Sequence, residues 1–306
     1  MRLEASHLQA LAAVLRVGSF EKAARQLNLT PSAVSQRVRA LEERLGTVLV
    51  VRGQPCLPTP AGQRLARHAE DVALLEQDLW QDIGSSLPDA GGGSMPGVRV
   101  AINADSLATW FVAAMQGAGD LLFDLQIDDQ DHSAGWLRRG EVRAAVSADP
   151  APVQGCDVVP LGALAYRATA SPAFMRRWFA GGVDVESLAR APAMIYNLKD
   201  GLQAAWVRQS FGQDVVLPAH YIASTHAFVD AAAAGIGWGM NPEPLVRAHL
   251  MDGRLEELVP GTPLTVPLYW HISRSAAPGL QRLTQAVRAA AADQLLAPVK
   301  SRPSKT

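Results

Sequence analysis

Ser32, Ser35, Gln36 and Arg39 recur at i, i+3, i+4 and i+7, which places them on one face of a helix. Glutamine and arginine can read base edges in a DNA major groove, while short serine hydroxyls approach closely and reach phosphates. A solvated face usually carries more Glu and Lys. Arg37 joins this candidate set, and Arg52 follows in a segment suited to a phosphate or minor-groove contact. A second group of residues suits a small ligand. Asn103, Asp105, Ser106 and Thr109 surround a strand-to-helix junction, where free amides and the helix dipole favour a carboxylate. Ser224, Thr225 and His226 form a comparable junction, and Asp128, Asp129 and Asp131 in DDQD can pair with an ammonium or guanidinium group. Asp105 can serve an α-ammonium or cap its helix.

The elements that must position the first group are legible. Leu8, Leu11, Ala12 and Leu15 share one helical face, and Phe20, Ala23, Ala24 and Leu27 share another after the Gly18-Ser19 break. Thr30-Pro31 predicts a third helix, separated from the second by a turn of Asn28, Leu29 and Thr30. Two short helices so joined are a helix-turn-helix. Val34, Val38, Leu41 and Leu45 are its expected buried stripe. The following VLVVRGQPCLPTPAG alternates β-branched residues with Gly and Pro and predicts a hairpin wing carrying Arg52.

Residues 1–60 are thus expected to form a winged DNA-binding domain and residues 61–86 a long helix with Leu65, Ala69, Val72, Leu79 and Ile83 along one side. That stripe predicts a homodimer, because a two-fold pair sets two recognition helices one turn of DNA apart. The Gly/Pro/Ser-rich residues 87–97 read as a hinge. Residues 98–306 alternate strands and helices, the pattern of α/β layers with parallel pairing.

Charge agrees with this division. The chain of 306 residues carries a net charge of −1, yet residues 1–68 hold ten Lys/Arg against four Asp/Glu. A basic head suggests a polyanion partner confined to it. Cys56 and Cys156 are far apart without a CxxC pair, which fits a reducing cytoplasm rather than a disulfide framework. No secretion signal or long apolar run is evident, so no membrane association is expected. The histidines lack HxxxH or HExxH spacing, and no GxSxG, P-loop or GxGxxG signature occurs. No catalytic residue, metal or cofactor is expected, and an enzyme is disfavoured.

The segments AARQLNLTPSAVSQRVRALEERLG and TPAGQRL resemble LysR-type transcriptional regulators. NADSLATW, RRGEVRAAVS, LGALAY and LYWH resemble the arginine/lysine-responsive ArgP/LysG branch. The resemblance implies an effector domain of two Rossmann-like subdomains, about 98–169 with 267–300 and about 170–266, enclosing a cleft like that of periplasmic binding proteins. It further implies lysine or arginine as effector, control of basic amino-acid export or metabolism, and tetramers built from dimers. Where the branch often has a second acid, this chain has Gln130. An effector-independent architectural or replication-inhibiting DNA protein is the alternative. If Gln36 reads a base, Gln36→Ala should weaken operator binding by about 1–3 kcal/mol and relax specificity at one position. Uniform, salt-dependent weakening in a binding titration would remove it from that role.

Overall fold

The computed structural model describes residues 3–83, 95–119, 121–127 and 133–297. The chain divides into two compact units. The first runs from the N-terminus through the long helix and includes the short segment Ser275–Leu280. It opens with α1 (Ala5–Val17), α2 (Phe20–Gln26) and α3 (Pro31–Leu45). Gly18 closes α1 in the left-handed conformation, and the Ser19 hydroxyl caps α2 by accepting from Lys22 N. Asn28 takes a positive φ in the turn between α2 and α3, and Thr30 caps α3 ahead of Pro31. Val34, Val38 and Leu41 enter one core with Leu11, Val14, Ala23 and Leu49. Their burial fixes the opposite face of α3 toward solvent.

The wing pairs β1 (Val50–Val51) antiparallel with β2 (Leu57–Pro58). The Glu42 carboxylate of α3 accepts from Leu49 N at 2.8 Å and Val50 N at 3.3 Å, and Cys56 N donates to Gly18 O. The wing is therefore tied at its base to both the recognition helix and the α1–α2 turn. Thr59 Oγ1 donates to Val48 O at 2.8 Å and accepts from Gly62 N at 3.1 Å, which joins the wing to the first turn of α4 (Pro60–Ile83). Along α4, Leu65 and Ala69 pack on the helix-turn-helix core. Further along the expected apolar side Val72 is half-buried and Leu79 exposed; beside it Leu74 is buried against the Gly279 backbone, and Leu75 is exposed.

In the second unit a seven-stranded sheet runs in the order β10-β6-β11-β5-β3-β4, with β9 also paired to β6. Its strands begin with β3 (Gly97–Ile102), which leads into α5 (Ala104–Ser106), a π-turn (Leu107–Phe111) and α6 (Val112–Gly117). Next come β4 (Leu122–Ile127), α7 (Ser133–Arg139) and β5 (Ala144–Ser147). The long β6 (Cys156–Ala170) leads into α8 (Pro172–Trp178), α9 (Val185–Leu188), β7 (Ala193–Ile195) and α10 (Leu202–Phe211). Then follow β8 (Ala219–Tyr221), α11 (Thr225–Ala233), β9 (Gly239–Pro242), α12 (Glu243–Met251) and β10 (Glu256–Glu257). The long β11 (Leu264–Ser273) and α13 (Gln281–Gln294) complete it. The alternating pattern yields parallel pairs where it recurs locally, β3 with β5 and β7 with β8. Departing from an all-parallel sheet, β6 and β11 run antiparallel to one another over most of their length. No helix among the described residues is long and apolar enough to cross a membrane.

Gly62 is the tightest point in the first unit. A Cβ there would lie 1.9 Å from Leu49 O, so the close approach of α4 to the wing requires glycine. Gly62→Ala is expected to destabilise the first unit by about 1–3 kcal/mol and to loosen operator binding. Urea unfolding followed by circular dichroism, with a DNA titration, checks this. An unchanged midpoint and affinity would show that the backbone yields freely.

Candidate functional site

The predicted DNA-facing residues lie on α3 and, for Arg52, in the wing. Ser32, Gln36 and Arg39 are exposed on α3, and Ser35 and Arg37 are half-buried. Arg39 Nε donates to the Glu43 carboxylate at 2.9 Å across one helical turn. Both partners are exposed, so this pair is weak and exchangeable for a phosphate or base. Arg52 is less free than a loop tip would be. Its guanidinium lies 5.1 Å from the centre of the Phe20 ring, and Nη2 donates to Ser35 Oγ at 3.4 Å. The wing arginine is thereby held beside the recognition helix.

In the second unit a cavity of about 380 Å³ is lined at its polar positions by Asn103, Asp105, Tyr196, Asn197, Lys199, Asp200, Thr225, Asn241 and Thr265. Its apolar walls include Ile127, Phe228, Met240 and Val266. Asn103 ends β3 and caps α5, its Oδ1 accepting from Ser106 N at 2.7 Å. Its Nδ2 is buried without a partner among the described residues. Asp105 follows within the first turn. Its carboxylate accepts from Tyr166 Oη and from Thr225 Oγ1, both at 2.8 Å. Burial pushes the Asp105 pKa above the usual aspartate value; the two hydroxyls oppose that shift and nearby Asp200 adds to it. Tyr166 is pushed well above the ordinary phenol value, by burial first and then by the Asp105 charge, so it stays a donor. Asp200 accepts from Tyr196 N at 2.8 Å and Leu202 N at 3.0 Å, anchoring the start of α10.

The cavity brings together Asn103, Asp105 and Thr225 from the expected effector set. It does not gather Ser106, Thr109, Ser224 or His226. Ser106 is fully buried and is not the helix cap, a place taken by Asn103; Thr109 donates to the Asp105 carbonyl at 2.6 Å. Ser224 caps α11 through Ala227 N, and His226 is exposed. Asp128, Asp129 and Asp131 lie outside the described residues. Trp110 and Trp238 are core side chains. Tyr196, Lys199, Asp200 and Asn241 were not singled out in the sequence. Asp200-Gly201 before the helical LQAAWVRQSF was an available signal, whereas Asn241 sits in GIGWGMNP without a motif. The glycines there serve packing: a Cβ on Gly239 would lie 2.3 Å from the Phe228 ring. Both cysteines are free and buried, and no cluster of three metal-ligating side chains occurs among the described residues.

Comparison with known proteins decides the family. Residues 5–63 match the bacterial regulatory helix-turn-helix protein, lysR family, and residues 97–292 match the LysR substrate binding domain. The chain belongs to the LysR family of transcription regulators. LysG of Mycobacterium tuberculosis (strain ATCC 25618 / H37Rv) is 44% identical over 292 residues, which is 95% of this chain and 94% of that protein. The crystal structure of ArgP from Mycobacterium tuberculosis superposes with a TM-score of 0.75 at 43% identity, covering 97% of this chain and 100% of that one. Full-length LysG from Corynebacterium glutamicum with bound effector Arg gives a TM-score of 0.64 at 34% identity, covering 96% and 100%. These similarities agree with the branch to which the sequence motifs pointed, and the relatives are regulators, not enzymes.

For this LysR-type regulator the Asp105 environment fixes a sign. A carboxyl whose folded pKa is raised holds a proton that the unfolded chain has lost, so its contribution to stability falls as pH rises through the raised value. An NMR titration of the Asp105 carboxyl should show a midpoint above the ordinary aspartate value of about 3.9. Tyr166→Phe and Thr225→Val should each raise it further, since each removes a donor to the ionised form. A midpoint at or below the ordinary value would contradict this assignment.

Proposed function

We propose that this LysR-type regulator responds to a basic amino acid, arginine or lysine, bound in the cavity of the second unit. The observation that carries this reading is the Asp105 carboxylate, half-buried at the cavity wall and held by two hydroxyls that leave its charge unneutralised. A cationic ligand supplies the missing positive charge. Asp200, at the same wall, adds negative potential. The arginine bound by the Corynebacterium glutamicum relative supports the same class of ligand.

The regulator acts in the cytoplasm on an operator that controls basic amino-acid export or metabolism. Residues 1–60 bind DNA through Ser32, Ser35, Gln36, Arg37, Arg39 and Arg52; residues 61–86 dimerise; 87–97 form a hinge; and 98–306 bind the effector between two subdomains. Leu75 and Leu79, exposed one turn apart on α4, support pairing of this helix with a second copy, and dimers then associate as tetramers. The effector alters DNA binding by favouring one arrangement of the oligomer.

Calorimetric titration of the full chain against the standard amino acids should show arginine or lysine binding, and footprints with and without that ligand should differ. Asp105→Asn should weaken binding by about tenfold or more, the scale of a lost charge-assisted contact. Binding of neither ligand, or uniform DNA coverage unchanged by both, would overturn the proposal. The second result would fit the architectural alternative, which the relatives do not favour.

A further inference from the structure

We propose that Phe20 is a positioning residue for DNA binding: with Ser35 it holds the exposed Arg52 guanidinium in the wing, its charge uncancelled, ready for a backbone phosphate. This rests on reading Arg52 as a DNA contact. Arg52 Cζ lies 5.1 Å from the centre of the Phe20 ring, and Nη2 donates to Ser35 Oγ at 3.4 Å. Neither partner carries a charge, and Arg52 forms no ion pair among the described residues. Arg39, by contrast, is paired with the Glu43 carboxylate.

The cradle is built from three segments of the chain. Phe20 is the first residue of α2, directly after the Ser19 cap, and Ser35 stands half-buried on α3. The wing reaches both because its return is closed onto the α1–α2 turn. Cys56 N donates to Gly18 O at 2.9 Å, and a Cβ on Gly18 would lie 2.8 Å from Pro55 Cβ. An aromatic face attracts a guanidinium through the ring quadrupole and uses none of its N–H groups. Ser35 takes one, and the rest of the planar fork stays available to phosphate oxygens. Because its oxygen accepts from Arg52, the Ser35 hydroxyl also keeps its own proton to donate. A carboxylate in place of either partner would hold Arg52 too, but it would cancel the charge that attracts a phosphate and would repel the phosphate itself. An arginine held by neutral groups keeps its full charge and has less side-chain freedom to lose on binding.

The test uses the full chain and a mixed-sequence DNA duplex, since phosphate contacts do not depend on sequence. Arg52→Ala should weaken binding and reduce the slope of log K against log salt by about one. Phe20→Leu keeps an apolar side chain against the core. It should weaken binding by about two- to fivefold, the scale of a cation–π contact at an exposed site, and should have no effect when added to Arg52→Ala. Phe20→Tyr, which keeps the ring, should bind as the unsubstituted protein does. In the free protein the NMR signals of the Arg52 side chain should lie upfield of ordinary arginine positions, shielded by the ring, and should return to those positions in Phe20→Leu. A Phe20→Leu loss that persists in the Arg52→Ala background would overturn the positioning role, as would no loss in a variant shown by circular dichroism to be folded. If Phe20→Leu does not fold, the unsubstituted protein decides: ordinary Arg52 signal positions would overturn the role. Arg52→Ala with unchanged affinity and salt slope would overturn the reading of Arg52 as a DNA contact, and this role with it.

Discussion

A carboxylate removed from water must be compensated, and the second unit is organised around how Asp105 is. Its two donors come from different parts of the chain: Tyr166 from the long strand β6, and Thr225 from the first turn of α11. Asp105 itself is placed by the Asn103 cap at the end of β3. Three elements thus converge on one charged group, and each is fixed by backbone pairing elsewhere. Hydroxyls satisfy hydrogen bonds without cancelling charge, so burial still dominates and the pKa remains raised. The site is ordered but electrostatically incomplete, which is the state expected of a receptor for a cation.

In the first unit the corresponding constraint is the attachment of the wing. Glu42, on the last turns of α3, binds two backbone amides of the wing; Thr59 ties the wing's return to the start of α4; and Gly62 admits the Leu49 carbonyl at a distance no other residue allows. Recognition helix, wing and linker helix are consequently one packed body. The contact of Arg52 with Ser35 and Phe20 extends this order to side chains on the exposed face of α3. Preorganisation of this kind reduces the side-chain entropy lost on binding.

The first unit was legible in the sequence because its signals are local. Caps at Ser19, Thr30 and Thr59 and the Val34/Val38/Leu41 stripe depend on residues three or four apart. The cavity was legible only in part. Asn103, Asp105 and Thr225 stand at strand-to-helix junctions, a position that marks ligand sites in α/β folds. Asn241 carries no such mark: its amide is held by Thr169, which is distant in sequence but two register positions away on the neighbouring strand. The antiparallel course of β6 and β11 was likewise hidden, because local alternation of strands and helices does not record where a long strand crosses. Ser106 and Ser224 mislead for the opposite reason: hydroxyls near helix starts are common, and burial and capping account for these two.

How a cation would act on this clasp follows from lone-pair arithmetic. A carboxylate offers about four acceptor sites, and Tyr166 and Thr225 use one on each oxygen. An incoming ammonium or guanidinium can therefore add to the clasp without displacing either hydroxyl. Its charge also strengthens the ionised form to which both hydroxyls already donate. A cation bound at Asp105 would consequently favour the arrangement in which β6 and α11 are both held to it, and weaken any competitor in which one is released. A ligand that had to displace a hydroxyl would favour the reverse. For a cation bound there, coordination chemistry at a single side chain would set the direction of the response, and the difference in affinity for the two arrangements its size.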